Sequence, residues 1–291
     1  MQLPIADKLV EPTTMREQYN ISRRSFALIS GAGLAGLLNA KPKPLPIAVQ
    51  LYSVAALCEK DLAGTIAGVA KLGYQGVEFA GYFKHSAAEI RKMLDDNGLQ
   101  CAGSHVGIDT LIGDNLQETI EFNKTIGNSN LIVPGLPDKY RGTLAAWKET
   151  AQTFNEVSAK VKPQGLRVGY HNHSSEFVSL EGEKPFHVFF EATNKDVTVQ
   201  LDIGHAVHAG EDPVDLMKRY AGRVRSVHVK EYSPAKKDAL IGDGNVKWPE
   251  VLKTCETIAG TQWYIIEEES RAYPGLEGIE QSLKRLHGMG R

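Results

Sequence analysis

Beyond Leu45 the chain alternates short apolar strands with helix-periodic segments eight times over, at about thirty residues per unit, and few architectures accept that rhythm. The strand-like runs are Ile47 to Tyr52, Gly76 to Phe79, Cys101 to His105, Leu131 to Pro134, Leu166 to Tyr170, Val197 to Leu201, Arg223 to Val229 and Trp263 to Ile266. Between them apolar residues recur at helical spacing, as in Leu62, Ile66, Val69 and Leu72, and Gly73 supplies a C-cap. Ser86 with Glu89 reads as a capping box, Pro185 as a first-turn proline, and Asp212-Pro213 as an N-cap. The pattern predicts an α/β fold, a (β/α)8 TIM barrel filling residues 46–291 as one domain. A doubly wound open sheet would want a phosphate-binding glycine turn after its first strand, and Gln50-Leu51-Tyr52-Ser53 contains no glycine. At 42% hydrophobic residues, the 291-residue chain has ample material for such a core.

Residues 1–45 read differently. Arg23-Arg24 precedes a small-residue apolar run through Leu38, then Asn39-Ala40 and a Lys/Pro-rich stretch. This has the form of a twin-arginine export signal and linker, which predicts a periplasmic or otherwise exported protein, with Met15 an alternative start. Gly31, Gly33 and Gly36 argue against a buried helix there, each costing about 1 kcal/mol relative to alanine. The run, at about 13 residues, is short for a bilayer span, so no stable membrane anchor is expected in the mature protein. The formal charge of −2 gives no basic patch for a nucleic acid; a small uncharged or anionic ligand fits better. Cys58, Cys101 and Cys255 lack paired spacing and read as buried thiols. The oligomeric state stays open, a homo-oligomer being one option.

In a barrel, functional groups gather at the C-terminal strand ends. Those ends present Gln50, Tyr52, Glu78 and His105 in the first half, then His171, His173 and Glu176, Asp202 and His205, His228 and Lys230, and Glu267 to Glu269. A single acid or imidazole at a strand end is ordinarily a solvated loop residue or a cap. Four consecutive strands each deliver one to a single mouth, where uncompensated carboxylates would repel one another without a cation or shared protons. The expected ligands are His171, Asp202, His228 and Glu267. Mixed nitrogen and oxygen donors select Mn2+, Co2+, Zn2+ or Ni2+ over Ca2+. Strand alternation puts His171 and His173 on one face and turns Asn172 away. His208 reads as structural, and Gly242-Asp243-Gly244 as a turn near the mouth and not a phosphate cradle.

Taken together, Leu201-Asp202-Ile203-Gly204-His205, Val227-His228-Val229-Lys230-Glu231, Ile265-Ile266-Glu267 and Gly76-Val77-Glu78-Phe79 resemble the xylose isomerase-like TIM-barrel superfamily, the sugar phosphate isomerase/epimerase group. The resemblance implies Asp202, His228 and Glu267 as metal ligands and His205 as a substrate contact. Strand five departs from the epimerase pattern: His171-Asn172-His173 stands where a carboxylate is usual, with Glu176 the nearest acid. That form is closer to exported isomerase-like proteins and to lyases acting on 3-keto-glycosides.

The expected chemistry is proton removal α to a sugar carbonyl, a divalent metal acting as Lewis acid on the enediolate. Glu176, His173 or Glu269 would be the base and His205 would steady the oxyanion. Gln50, Tyr52, Glu78, His105 and Lys230 would contact the carbohydrate. Reprotonation gives an isomerase or epimerase; loss of a β-oxygen gives a lyase. A nuclease on the same barrel and a non-catalytic sugar binder are the competing readings. Aromatic residues Tyr52, Phe79, Tyr82, Phe83 and Tyr232 could stack on a sugar in either case.

Overall fold

A computed structural model describes residues 44–291, so the expected export signal lies outside the described residues. Eight strands form a closed parallel barrel: β1 (Ile47–Gln50), β2 (Gly76–Phe79), β3 (Gln100–His105), β4 (Asn130–Val133), β5 (Arg167–His171), β6 (Thr198–Asp202), β7 (Val224–Val229) and β8 (Trp263–Ile266). Each pairs with its neighbours in chain order, and β8 closes on β1 through Ile47↔Tyr264, Ala48↔Ile265 and Val49↔Ile266. The architecture is that of a (β/α)8 TIM barrel. Among the described residues no helix is long and apolar enough to cross a membrane.

The local signals form as their chemistry requires. The Ser86 hydroxyl and Glu89 carboxylate make a reciprocal capping box on the helix Ala87–Asp96. Gly73 ends Leu62–Leu72 in the left-handed region at φ 100°. Asp212 caps Pro213–Arg219 through the Val214 amide, and the three cysteines are free and buried. Behind β5, the outward Tyr170 ring meets Trp147, Phe154 and Phe189, all buried and in edge or tilted contact at 5.3–6.3 Å between centroids. Apolar faces of strands and helices thus fill the outer layer and leave the barrel interior at its C-terminal end to polar groups.

Two departures from the sequence reading shape that end. The first strand stops at Gln50, whose Oε1 accepts from the Tyr52 amide (3.0 Å) and starts a 3-10 turn, Leu51–Val54. Tyr52 is thereby turned out to 46% exposure at the rim. A six-residue helix, Ile203–His208, begins directly on Asp202. Gly204 is required there by close approach, since a Cβ would lie 2.9 Å from the Lys230 carbonyl oxygen at the end of β7.

Candidate metal and active site

Register brings the second-half side chains together: Asp202 lies opposite His228, and His171 opposite Gln200. One donor atom from each of His171, Asp202, His228 and Glu267 falls within 4.8 Å of the other three, and all four residues are buried. Such a cluster of two imidazoles and two carboxylates matches the mixed donor set of a borderline divalent cation.

A polar layer directly beneath fixes the protons. Gln200 donates through Nε2 to Glu78 Oε1 (2.7 Å) and Ser226 Oγ (3.0 Å). A carboxylate accepts only, so the amide oxygen must face the other way. It accepts from His105 Nε2 (2.8 Å) and His171 Nδ1 (3.1 Å). His171 therefore keeps its proton on Nδ1 and leaves Nε2 as the lone-pair nitrogen of the cluster. Burial, reinforced by His228, His105 and His173, holds its pKa well below the usual imidazole value. Glu78 accepts from His228 Nε2 (2.7 Å) in the same manner, leaving Nδ1 towards Glu267 Oε2 (3.0 Å). Burial opposes charge on His228, but Glu267 and Glu78 outweigh it and raise its pKa to about 10. Burial also works against ionisation of Glu78, which His105 and His228 nonetheless hold well below the usual carboxylate range.

Asp202 is held at both ends. Its backbone amide and carbonyl are clasped by the Asn172 side chain at 3.0 and 3.3 Å, and its Oδ1 accepts from the His205 amide at 2.7 Å. Its Oδ2 is buried with no hydrogen-bond partner. An orphaned oxygen in such a place costs about 1–3 kcal/mol or more. Burial raises the Asp202 pKa, with Glu267 adding to it and Lys230 opposing. An unpartnered carboxylate oxygen beside Glu267 Oε2, the lone-pair Nε2 of His171 and His228 Nδ1, which would give up its proton on ligation, fits a divalent cation, which would satisfy all four at once.

Lys230 reaches into the same space. Its Nζ donates to His205 Nε2 (3.1 Å), lies 3.5 Å from Glu267 Oε2 and 3.9 Å from Asp202 Oδ2, and pairs with the Glu269 carboxylate. Burial disfavours its charge, yet Asp202, Glu267 and Glu269 hold its pKa above the ordinary lysine value. Burial and the Lys230 charge push His205 down to about 3, so that imidazole is neutral at physiological pH. His173 stacks obliquely between His171 and His205, at 4.9 and 4.8 Å.

The expected site residues thus separate by depth. Above the cluster opens a cavity of about 410 Å³ walled by Tyr52, His105, His171, His173, Glu267 and Glu269. Gln50 and Glu78, expected at the substrate, are instead completely buried in the layer below. Gln50 Nε2 donates to Glu78 Oε2 (2.8 Å), and Gly103 leaves room for that carboxylate, because a Cβ there would sit 2.5 Å from Glu78 Oε1. Glu176 turns away from the mouth, accepting from the His173 amide (2.6 Å), Ser175 Oγ (3.1 Å) and Tyr170 Oη (3.2 Å). His208 stacks on Tyr232 at 4.6 Å. Sequence reasoning missed Gln200 and turned Asn172 away without giving it a task. The signal was present: an amide two residues before Asp202 shares its inward face, in an otherwise apolar run.

Comparison with known proteins agrees with the fold. Residues 66–288 match the family described as xylose isomerase-like TIM barrel. The inosose dehydratase of Clostridium botulinum is 22% identical over an alignment 250 residues long, which covers 72% of this chain and 83% of that protein. A sugar phosphate isomerase/epimerase from Parabacteroides distasonis superposes with a TM-score of 0.70 at 26% identity, covering 85% of this chain and 94% of that one. The structure of an L-ribulose 3-epimerase shares the fold, with a TM-score of 0.63 at 16% identity over 85% of this chain and 94% of its own.

Proposed function

The chain belongs to the xylose isomerase-like TIM-barrel family, and from that premise we propose that it is a divalent-metal-dependent enzyme that removes a proton α to the carbonyl of a polyhydroxylated substrate. The observation that carries this reading is the inward convergence of His171, Asp202, His228 and Glu267 around the unpartnered Asp202 Oδ2. A divalent cation held by these four residues would supply Lewis acidity towards the carbonyl and neighbouring hydroxyl oxygens.

The rest is done by the chain. Glu269, on the cavity wall and partly exposed, accepts the substrate proton. Lys230, held between Glu269, Glu267 and His205, donates to the oxygen that gains negative charge. His205 is neutral and its Nε2 accepts from Lys230, so it steadies the ammonium without repelling it through a second positive charge. Glu176 positions His173 and is not the base, since its two oxygens are occupied by three local donors. The cavity of about 410 Å³ over the cluster takes one sugar-sized ring, with Tyr52 at its rim.

Returning the proton completes an isomerisation or epimerisation. A second reading ends in β-elimination of hydroxide or an alkoxide, and the inosose dehydratase relatives favour it, as does the imidazole of His171 at the position where the resemblance to epimerases implies a carboxylate. Both share the first step. Incubating metal-loaded protein with ketoses and inososes in D2O tests that step. Metal-dependent deuterium uptake at the α-carbon, lost in Asp202→Ala together with the metal, is the expected result. Full exchange by Asp202→Ala with its metal retained would end this reading.

A further inference from the structure

Tyr52 is the common wall of two cavities. On one side lies the space above the metal cluster; on the other lies a second cavity of about 430 Å³, bounded by the 3-10 turn and following helix, and by the loop after β8. The loop after β8 alternates its charges between the two. Glu267 and Glu269 face the first cavity, while Glu268 and Arg271 face the second. The two walls are tied together, because the Glu268 amide donates to Ser53 Oγ at 3.0 Å.

Arg271 is bent back to reach this place. Its backbone adopts φ 55°, a left-handed conformation that costs a non-glycine residue about 1–3 kcal/mol unless something holds it. Its guanidinium stands 5.9 Å from the Tyr52 ring centroid, and Nη2 donates to the Tyr52 hydroxyl at 3.3 Å. Tyr273 adds a second aromatic wall, anchored by its hydroxyl donating to the Asp238 carbonyl at 3.0 Å.

Aromatic faces with a planar fork of donors and carboxylate acceptors are the chemistry that reads a hydroxylated ring: C–H faces on the aromatics, vicinal hydroxyls on the charged groups. Phosphate is disfavoured, since Glu59 and Glu268 outnumber Arg271 in the lining. We propose that the second cavity is a subsite for the attached ring of an uncharged glycosidically linked substrate, whose reacting sugar lies over the metal cluster and whose other ring crosses Tyr52. The inference rests on the proposed carbonyl chemistry for the first ring and adds the substrate class, a glycoside in place of a free or phosphorylated monosaccharide.

Calorimetric titration of the metal-loaded protein with D-fructose and with the ketose disaccharides turanose, isomaltulose and lactulose tests it, because binding needs no turnover. At least one disaccharide binds about tenfold tighter than fructose or better. Arg271→Ala and Tyr273→Phe/Arg271→Ala, each checked for a wild-type melting transition, bring that ratio below about threefold. Equal affinity for fructose and all three disaccharides, no binding of any disaccharide, or an unchanged ratio in both variants would overturn the subsite. Deuterium exchange with fructose alongside equal affinities would sink the subsite and leave the proposed chemistry standing. An Arg271-dependent preference without exchange would sink the chemistry and sustain the subsite.

Discussion

Asp202 divides its carboxylate between structure and chemistry: Oδ1 caps the helix Ile203–His208 and Oδ2 has no partner. Asp202→Asn keeps a capping oxygen and loses the charge, so folding survives and metal binding does not. Gln200→Leu removes no donor atom from the cluster, yet it frees both His171 and His105 to change tautomer. Metal affinity should fall about 10–100-fold in Gln200→Leu and further still in Asp202→Asn, as read by competition against a chelating dye. Affinity retained in Gln200→Leu would mean that the layer beneath the cluster does not set its protons. His228 gives a pH signature. With its pKa raised to about 10 in the metal-free protein, ligation through Nδ1 must expel a proton, so affinity rises with pH up to about 10. The sign for stability is opposite. A group whose pKa rises on folding contributes fully below its ordinary value of 6.5 and loses that contribution as pH climbs through about 10. The metal-free protein should therefore show a falling denaturation midpoint over that interval, and a rising one would contradict the assignment.

At the scale of elements, the loop after β7 is organised on one carboxylate. Glu231 accepts from the amides of Tyr232, Gly242 and Val246 and from the Trp248 indole. Removing it strands several donors, each worth about 0.5–1.5 kcal/mol net. Glu231→Ala should lower stability by about 2–3 kcal/mol in urea unfolding and raise amide exchange at Gly242 and Val246 first. Uniform exchange across the barrel would contradict a local anchoring role. The turn at Gly242-Asp243-Gly244 is built by this anchor and by Asp243 pairing with Lys236 and Arg285. No phosphate cradle is needed to explain its glycines. Elements of this kind were hard to read from the chain. A carboxylate that meets donors 11 to 17 residues later leaves no periodic trace. The 3-10 turn after β1 is similar, since its cap comes from the Gln50 side chain and not from a Ser, Thr, Asp or Asn.

Across the whole molecule, the sequence and the structure coincide where periodicity governs. Eight apolar strands at regular spacing fit a closed parallel sheet, and which residue at or next to each C-terminal strand end faces inward follows from the pleat. That is why His171, Asp202, His228 and Glu267 were legible as a group. Depth was not legible: Gln50 and Glu78 share the inward phase with true cavity residues but lie one layer lower, a matter of strand tilt and stagger that only the closed barrel sets. Stability and chemistry also occupy different layers. Phe189, buried among Trp147, Phe154 and Tyr170, belongs to the outer shell alone. Phe189→Ala should cost about 3–5 kcal/mol by chemical denaturation while leaving metal affinity within about threefold of wild type. A large loss of affinity would show that the cluster depends on packing it does not touch.

One cation held by His171, Asp202, His228 and Glu267 is the centre of the proposed chemistry. X-ray absorption on the cobalt-loaded protein, with titration to fix stoichiometry, reads that directly. It should give one ion per chain with two imidazole nitrogens and carboxylate oxygens near 2.0–2.2 Å, the distances expected of such donors at a borderline divalent ion, and one imidazole fewer in His171→Ala. No stoichiometric binding, or an unchanged nitrogen shell in His171→Ala, would contradict it.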